Sequence, residues 1–92
     1  MLAKPTLDLA KMKQGELERE ILRLGMIAEL DAISLYEQLA AMTKSEHVRR
    51  VMLDVAKEEK THVGEFQALL LEIDKEQVEE LKAGKEEVDE MR

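Results

Sequence analysis

Cysteine and tryptophan are absent from this 92-residue sequence, proline occurs once, and tyrosine and phenylalanine occur once each. Without a thiol there is no disulfide, thiolate zinc site, iron–sulfur cluster or cysteine nucleophile, an inventory that suits a reducing compartment. With two aromatic rings in all, and 21 acidic against 14 basic residues for a net charge of −7, the chain lacks the stacking surface and the positive field of a nucleic-acid binder. Its field attracts cations instead. No stretch approaches the roughly 18–20 consecutive apolar residues of a membrane helix. Met1-Leu2-Ala3-Lys4-Pro5 has no signal-peptide core. The chain reads as soluble and cytoplasmic, with no nucleic-acid and no membrane partner.

What is present is helical. Leu, Ala, Glu, Lys, Met and Arg dominate, all strong helix formers, and only four glycines interrupt them. The fold class is all-α, in one small domain whose limited core favours completion by a second copy. Residues 1–15 form a lead-in broken by Pro5 and Gly15, with Gly15 as N-cap of a first helix from Glu16 to Met42. Its stripe reads Leu22, Met26, Glu29, Ile33, Tyr36, Ala40, in alternating steps of four and three. Thr43-Lys44-Ser45 is a turn, with Ser45 as N-cap. A second helix runs from Glu46 to Ile73, on the stripe Met52, Val55, Glu59, His62, Phe66, Leu69. Asp74 and Gln77 begin a third, short helix, Lys75 to Ala83, that stops at Gly84. The folded helical unit, half of a larger bundle, is thus expected over 16–84, with a loosely held charged tail over 85–92.

Two long helices joined by a three-residue turn make an antiparallel hairpin. Three stripe positions are not apolar: Glu29, Glu59 and His62. Glu59-x-x-His62 projects both groups from one face. Glu29 lies 15 residues before Lys44, and Glu59 lies 15 after it. At about 1.5 Å per residue both sit roughly 22 Å from the turn, at one level of the hairpin. Two buried carboxylates facing one imidazole have no neutralising base, and a metal cation supplies the missing charge. Ferritin-like carboxylate sites take a Glu from each of two helices and a Glu-x-x-His from each of two others. This chain carries half of that set, and two copies supply all of it.

Ala28-Glu29-Leu30-Asp31-Ala32 with Tyr36, and Glu58-Glu59-Lys60-Thr61-His62, resemble the encapsulated ferritins, two-helix ferritin-like proteins held in encapsulin nanocompartments. The resemblance covers roughly Ile21 to Asp74, turn length included, and the third helix also has a counterpart. It implies a homodimer that rebuilds a four-helix ferritin-like bundle, a decameric ring, and a ferroxidase that oxidises Fe(II) with dioxygen for iron storage in an encapsulin shell. By position, Glu29, Glu59 and His62 match the di-iron ligands; the roles we assign within that set are Glu59 as bridge and Glu29 as terminal chelator. Tyr36 matches a tyrosine beside the site. Asp31 matches a more exposed acidic residue that holds a secondary divalent cation. Position 28, acidic in some members, is Ala here, which weakens that outer site. Members reach the shell by a C-terminal targeting tail or by fusion to the shell protein, and Glu90-Met91-Arg92 shows no such tail.

Two other readings compete. One is a different carboxylate-bridged di-metal protein, a rubrerythrin-like peroxidase or a manganese protein; the lack of Cys removes a rubredoxin-type iron centre from this chain. The other is a structural helical adaptor without metal, which would tolerate Leu at 29, 59 and 62. Tyr36 could be simple core, Met26 and Met52 gap-filling core, and His47, Glu58, Glu65 and the Glu79-Glu80 and Glu86-Glu87 pairs solvated charge.

Overall fold

The computed structural model describes residues 12–92 as three helices: α1 (Gln14–Met42), α2 (Glu46–Ile73) and α3 (Lys75–Glu90). Pro5 and most of the lead-in lie outside the described residues. No helix among them is long and apolar enough to cross a membrane.

The turn forms because both helix ends are satisfied there. Ser45 is extended, and its hydroxyl accepts from Val48 N at 3.2 Å, capping α2. The last turn of α1 has no basic residue of its own. Arg49, one turn into α2, reaches back: Nε donates to the Ala40 carbonyl at 3.0 Å and Nη2 to the Thr43 carbonyl at 2.9 Å. Those carbonyls would otherwise be unpaired at the negative end of the helix dipole. The α1 and α2 axes are thereby folded antiparallel.

A single residue, Asp74, joins α2 to α3. It is buried, its Oδ1 accepts from Gln77 N at 3.0 Å, and its Oδ2 faces Arg23 of α1 at 3.4 Å. One carboxylate therefore caps α3 and ties it to the far end of the hairpin. The molecule measures 47 × 42 × 20 Å. The hairpin accounts for the long axis, since 28 residues at about 1.5 Å each span roughly 42 Å. The second extent requires α3 to leave it steeply, and the third is two helices thick.

Three sequence expectations are corrected. The first helix begins at Gln14, with Lys13 at the N-cap position and Gly15 inside the first turn. Leu17 N already bonds the Lys13 carbonyl, and Gln14 pairs with Glu18 one turn on, so the helix nucleates ahead of the glycine. The third helix passes through Gly84 to Glu90. Glycine stops a helix by turning left-handed, and no glycine here has a positive φ. At about 1 kcal/mol relative to alanine, a helical glycine is tolerated, and the Lys85–Asp89 and Arg92–Asp89 pairs support the last turns.

The third correction concerns α2, whose single expected stripe is really two. Met52, Ala56, Glu59, Phe66 and Leu70 turn toward α1, and Ala56 and Leu70 are buried there, as Ile33 and Ala40 are on the facing side of α1. Leu69, expected in the core, is 48% exposed. It lies on a second row with Val48, Val51, His62 and Ile73, whose spacings of 14, 11, 7 and 11 residues from His62 are near whole helical turns. Val48, Val51 and Ile73 are 42%, 50% and 50% exposed. The hairpin has an inner apolar face that it covers and an outer one that it leaves open.

Asp74→Ala should cost about 1–2 kcal/mol, the worth of a helix cap with its ion pair. Asp74→Asn keeps the cap and should lose less than half as much. Urea denaturation followed by circular dichroism at one fixed protein concentration measures both.

Candidate metal centre

Glu29 reaches the site from the inner face of α1, four residues before the buried Ile33. Glu59 and His62 arrive from α2 on adjacent turns, Glu59 in the inner row and His62 in the outer one. The equal distances from the turn bring all three to one level. One ligand atom from each of Glu29, Glu59 and His62 lies within 4.8 Å of the others. Each carboxylate side chain is 19% exposed and the imidazole 44%.

The electrostatics are unbalanced. His62 Nδ1 is 3.4 Å from Glu59 Oε2, in hydrogen-bonding alignment. It is also 3.4 Å from Glu29 Oε2, without that alignment. A single ring N–H serves one acceptor. Glu29 Oε2 is accordingly buried with no hydrogen-bond partner. Lys60 pairs with Glu37 at 3.1 Å on the surface, joining α1 to α2, and among the described residues no lysine or arginine pairs with Glu29 or Glu59. Oxygen donors from two carboxylates and one imidazole nitrogen, converging with one oxygen orphaned, make a donor set for a hard or borderline cation. The residues fit a metal.

The other candidates fall elsewhere. Asp31 is half-buried and stands outside the cluster. Tyr36 is half-buried on the α1 stripe, seven residues beyond Glu29 toward the turn. His47, Glu58 and Glu65 are exposed. Sequence reasoning missed a contact next to the cluster: Gly25, one turn before Glu29, lies against the ring of Phe66, one turn after His62. A glycine beside a stripe position was the available signal.

The family model for rubrerythrin matches residues 20–91. A ferritin-like–encapsulin shell fusion protein of Pyrococcus furiosus is 67% identical over 72 residues, covering 78% of this chain and 21% of that protein. An encapsulin nanocompartment cargo protein of Myxococcus xanthus is 40% identical over 67 residues, covering 73% of this chain and 51% of that protein. The chain thus spans about a fifth of one curated relative and about half of the other. The crystal structure of an encapsulated ferritin domain from Pyrococcus furiosus matches with a TM-score of 0.84 at 59% identity, over 94% of this chain and 86% of that one.

Replacing Glu29 by Leu removes the orphaned oxygen and fills its place with apolar volume. The metal-free protein should gain about 1–3 kcal/mol, the cost of an unsatisfied buried polar group. Thermal melting in the presence of a chelator checks this, and a lower melting temperature would contradict it.

Proposed function

The chain belongs to the rubrerythrin family and is ferritin-like within it, and from that premise we propose that it is a ferroxidase, oxidising Fe(II) with dioxygen at a site shared between two copies. The observation that carries this reading is the cluster of Glu29, Glu59 and His62 with its unpartnered Glu29 oxygen. Fe(II) is the substrate: each of two ions gives up one electron, dioxygen takes both with two protons from solvent and leaves as hydrogen peroxide, and Fe(III) leaves for storage.

In this reading Glu29 and Glu59 supply hard oxygens that favour the more highly charged product, with Glu59 as the bridge and Glu29 as the terminal chelator. His62 supplies nitrogen and leaves its other ring atom for outer partners. Tyr36, further along the stripe, is a neighbour and not a ligand. Asp31 is assigned to an outer cation position, where it draws Fe(II) toward the site.

A single hairpin holds one Glu and one Glu-x-x-His, half of a ferritin-like set. The outer row of α2 supports completion by a second copy, because Val48, Val51, Leu69 and Ile73 are about half-exposed on the same side as His62. A two-fold partner covering that row would bring its own three ligands to the first three. The relatives named as an encapsulin fusion and an encapsulin cargo support a further step, in which pairs assemble into a ring of ten and work with an encapsulin shell that holds the product.

Glu59→Ala and His62→Ala should bring Fe(II) oxidation down to the rate in buffer with helical content unchanged, whereas Tyr36→Phe should slow it without abolishing iron binding. The rise of Fe(III) absorbance after mixing with Fe(II) in air measures this. Wild-type rates in either ligand variant would remove the site assignment, and faster oxidation by hydrogen peroxide than by dioxygen would move the reading to a peroxidase.

Assembly should depend on metal. If each chain holds half of the ligands, binding energy appears as dimer stability by mass action. Native mass spectrometry of dilute metal-free protein should show more monomer, and Fe(II) or redox-inert Zn(II) should shift it to dimers and larger species. Glu29→Ala should blunt that shift. A monomer that stays monomeric when saturated with metal contradicts the shared site.

A further inference from the structure

Glycine within a long helix costs about 1 kcal/mol relative to alanine, so Gly25 in the middle of α1 needs a reason. It has one in space. A Cβ built on Gly25 would stand 3.1 Å from both Cδ2 and Cε2 of Phe66 and 3.6 Å from Cγ, so the ring lies in the volume that a side chain would take. The contact is placed with regard to the metal centre. Gly25 is four residues before Glu29 on α1, and Phe66 is four residues after His62 on α2. In the antiparallel hairpin these offsets bring the pair to one level, one turn from the cluster on the side away from the Thr43–Ser45 turn. Phe66 is the sole phenylalanine of the chain.

We infer that Gly25 and Phe66 are a positioning pair for the metal centre, an inference that rests on the metal-binding reading of Glu29, Glu59 and His62. The flat ring, seated on bare backbone, sets how closely α1 and α2 approach beside the ligands. That separation fixes the distance from the Glu29 carboxylate to the Glu59 and His62 donors. The ring also gives the cluster an apolar floor, so that water is kept from its lower end and the donors face one another in a less polar medium. Neither residue is a ligand. They act by holding ligands that come from two helices in one small volume. On the other side of the cluster, the buried Ile33 and Ala56 play the same bounding part.

Adding a methyl group at 25 forces Phe66 to give by a few tenths of an ångström. The ring then tilts toward His62 or the helices part, and either movement spreads the donors. Alanine is also the better helix former, so lost metal binding in Gly25→Ala would run opposite to helix propensity.

The test titrates metal-free protein with Co(II) and reads its visible d–d absorption, which reports ligand geometry, with Zn(II) displacement for affinity and circular dichroism for the fold. Gly25→Ala should bind Co(II) about tenfold more weakly, the usual scale for loss of a residue that orients ligands, with altered bands and unchanged helical signal. Gly25→Ala combined with Phe66→Leu should recover most of the affinity, because the branched chain can move out of the way. Phe66→Leu alone should alter the bands and weaken binding, and it decides the matter if Gly25→Ala does not fold. Wild-type affinity and spectrum in both single variants would overturn the positioning role while leaving the metal centre standing. Weakened binding with unaltered bands and no recovery in the double variant would overturn it as well. If the wild-type protein itself takes up neither Co(II) nor Fe(II), the metal reading fails and the positioning role fails with it.

Discussion

Two carboxylates and one imidazole share a space of less than 5 Å inside the hairpin, and only one pair of them is hydrogen-bonded. A buried polar oxygen without a partner costs about 1–3 kcal/mol, a large fraction of the 5–15 kcal/mol that holds a typical domain together. The cost is heavier here because the chain buries little to offset it. Among the described residues only Ile33, Ala40, Ala56, Leu70 and Asp74 are buried. A metal cation would remove the imbalance by supplying charge and taking up the orphaned lone pair at once. In the proposed reading the same cation also joins two chains, so the charge that weakens the isolated hairpin is what drives its pairing.

The rest of the fold can be understood as placement of those three groups. Arg49 closes the turn by satisfying carbonyls at the end of α1, which fixes the antiparallel register. With the register fixed, equal distances from Lys44 bring Glu29 and Glu59 to one level. The split of α2 into an inner and an outer row puts Glu59 against α1 and His62 at the edge of the open face. The cluster therefore lies at the border between the face that the hairpin covers and the face that it leaves exposed. Asp74, bound to Arg23 and capping α3, holds the opposite end of the hairpin and sets the direction in which α3 leaves.

The two rows on α2 also explain how the hairpin packs one face and leaves another open. A continuous core would need large side chains meeting from both helices at every turn. Here small and large groups alternate on the inner faces, with Ala40 of α1 and Ala56 of α2 buried and Phe66 against Gly25. The outer row carries larger aliphatic groups that face solvent. Apolar surface left open in this way, at about 25 cal/mol per Å², is a reserve of association energy independent of any metal.

Much was legible in the residue order. Helix-forming composition and the alternation of three- and four-residue steps determined three helices and the hairpin, because helical periodicity is local. The spacing of Glu29, Glu59 and His62 about the turn determined that they meet, because rise per residue is constant. Ser45 and Asp74 were readable as caps, because capping depends on a side chain and a backbone group three residues away. What the tertiary structure alone decided depends on contacts between distant parts of the chain. Whether Gly84 ends α3 was set by a left-handed turn that did not form. The choice between Leu69 and Leu70 was set by the accumulated difference between 3.5 and 3.6 residues per turn over a long helix. The roles of Arg49, of Arg23 with Asp74, and of Gly25 with Phe66 were invisible in sequence, because each pairs residues whose approach exists only after α1 and α2 have packed. The orphaned oxygen of Glu29 belongs to the same class: a residue order can show that a carboxylate falls on a core stripe, but only the packed structure shows that one of its two oxygens has no partner.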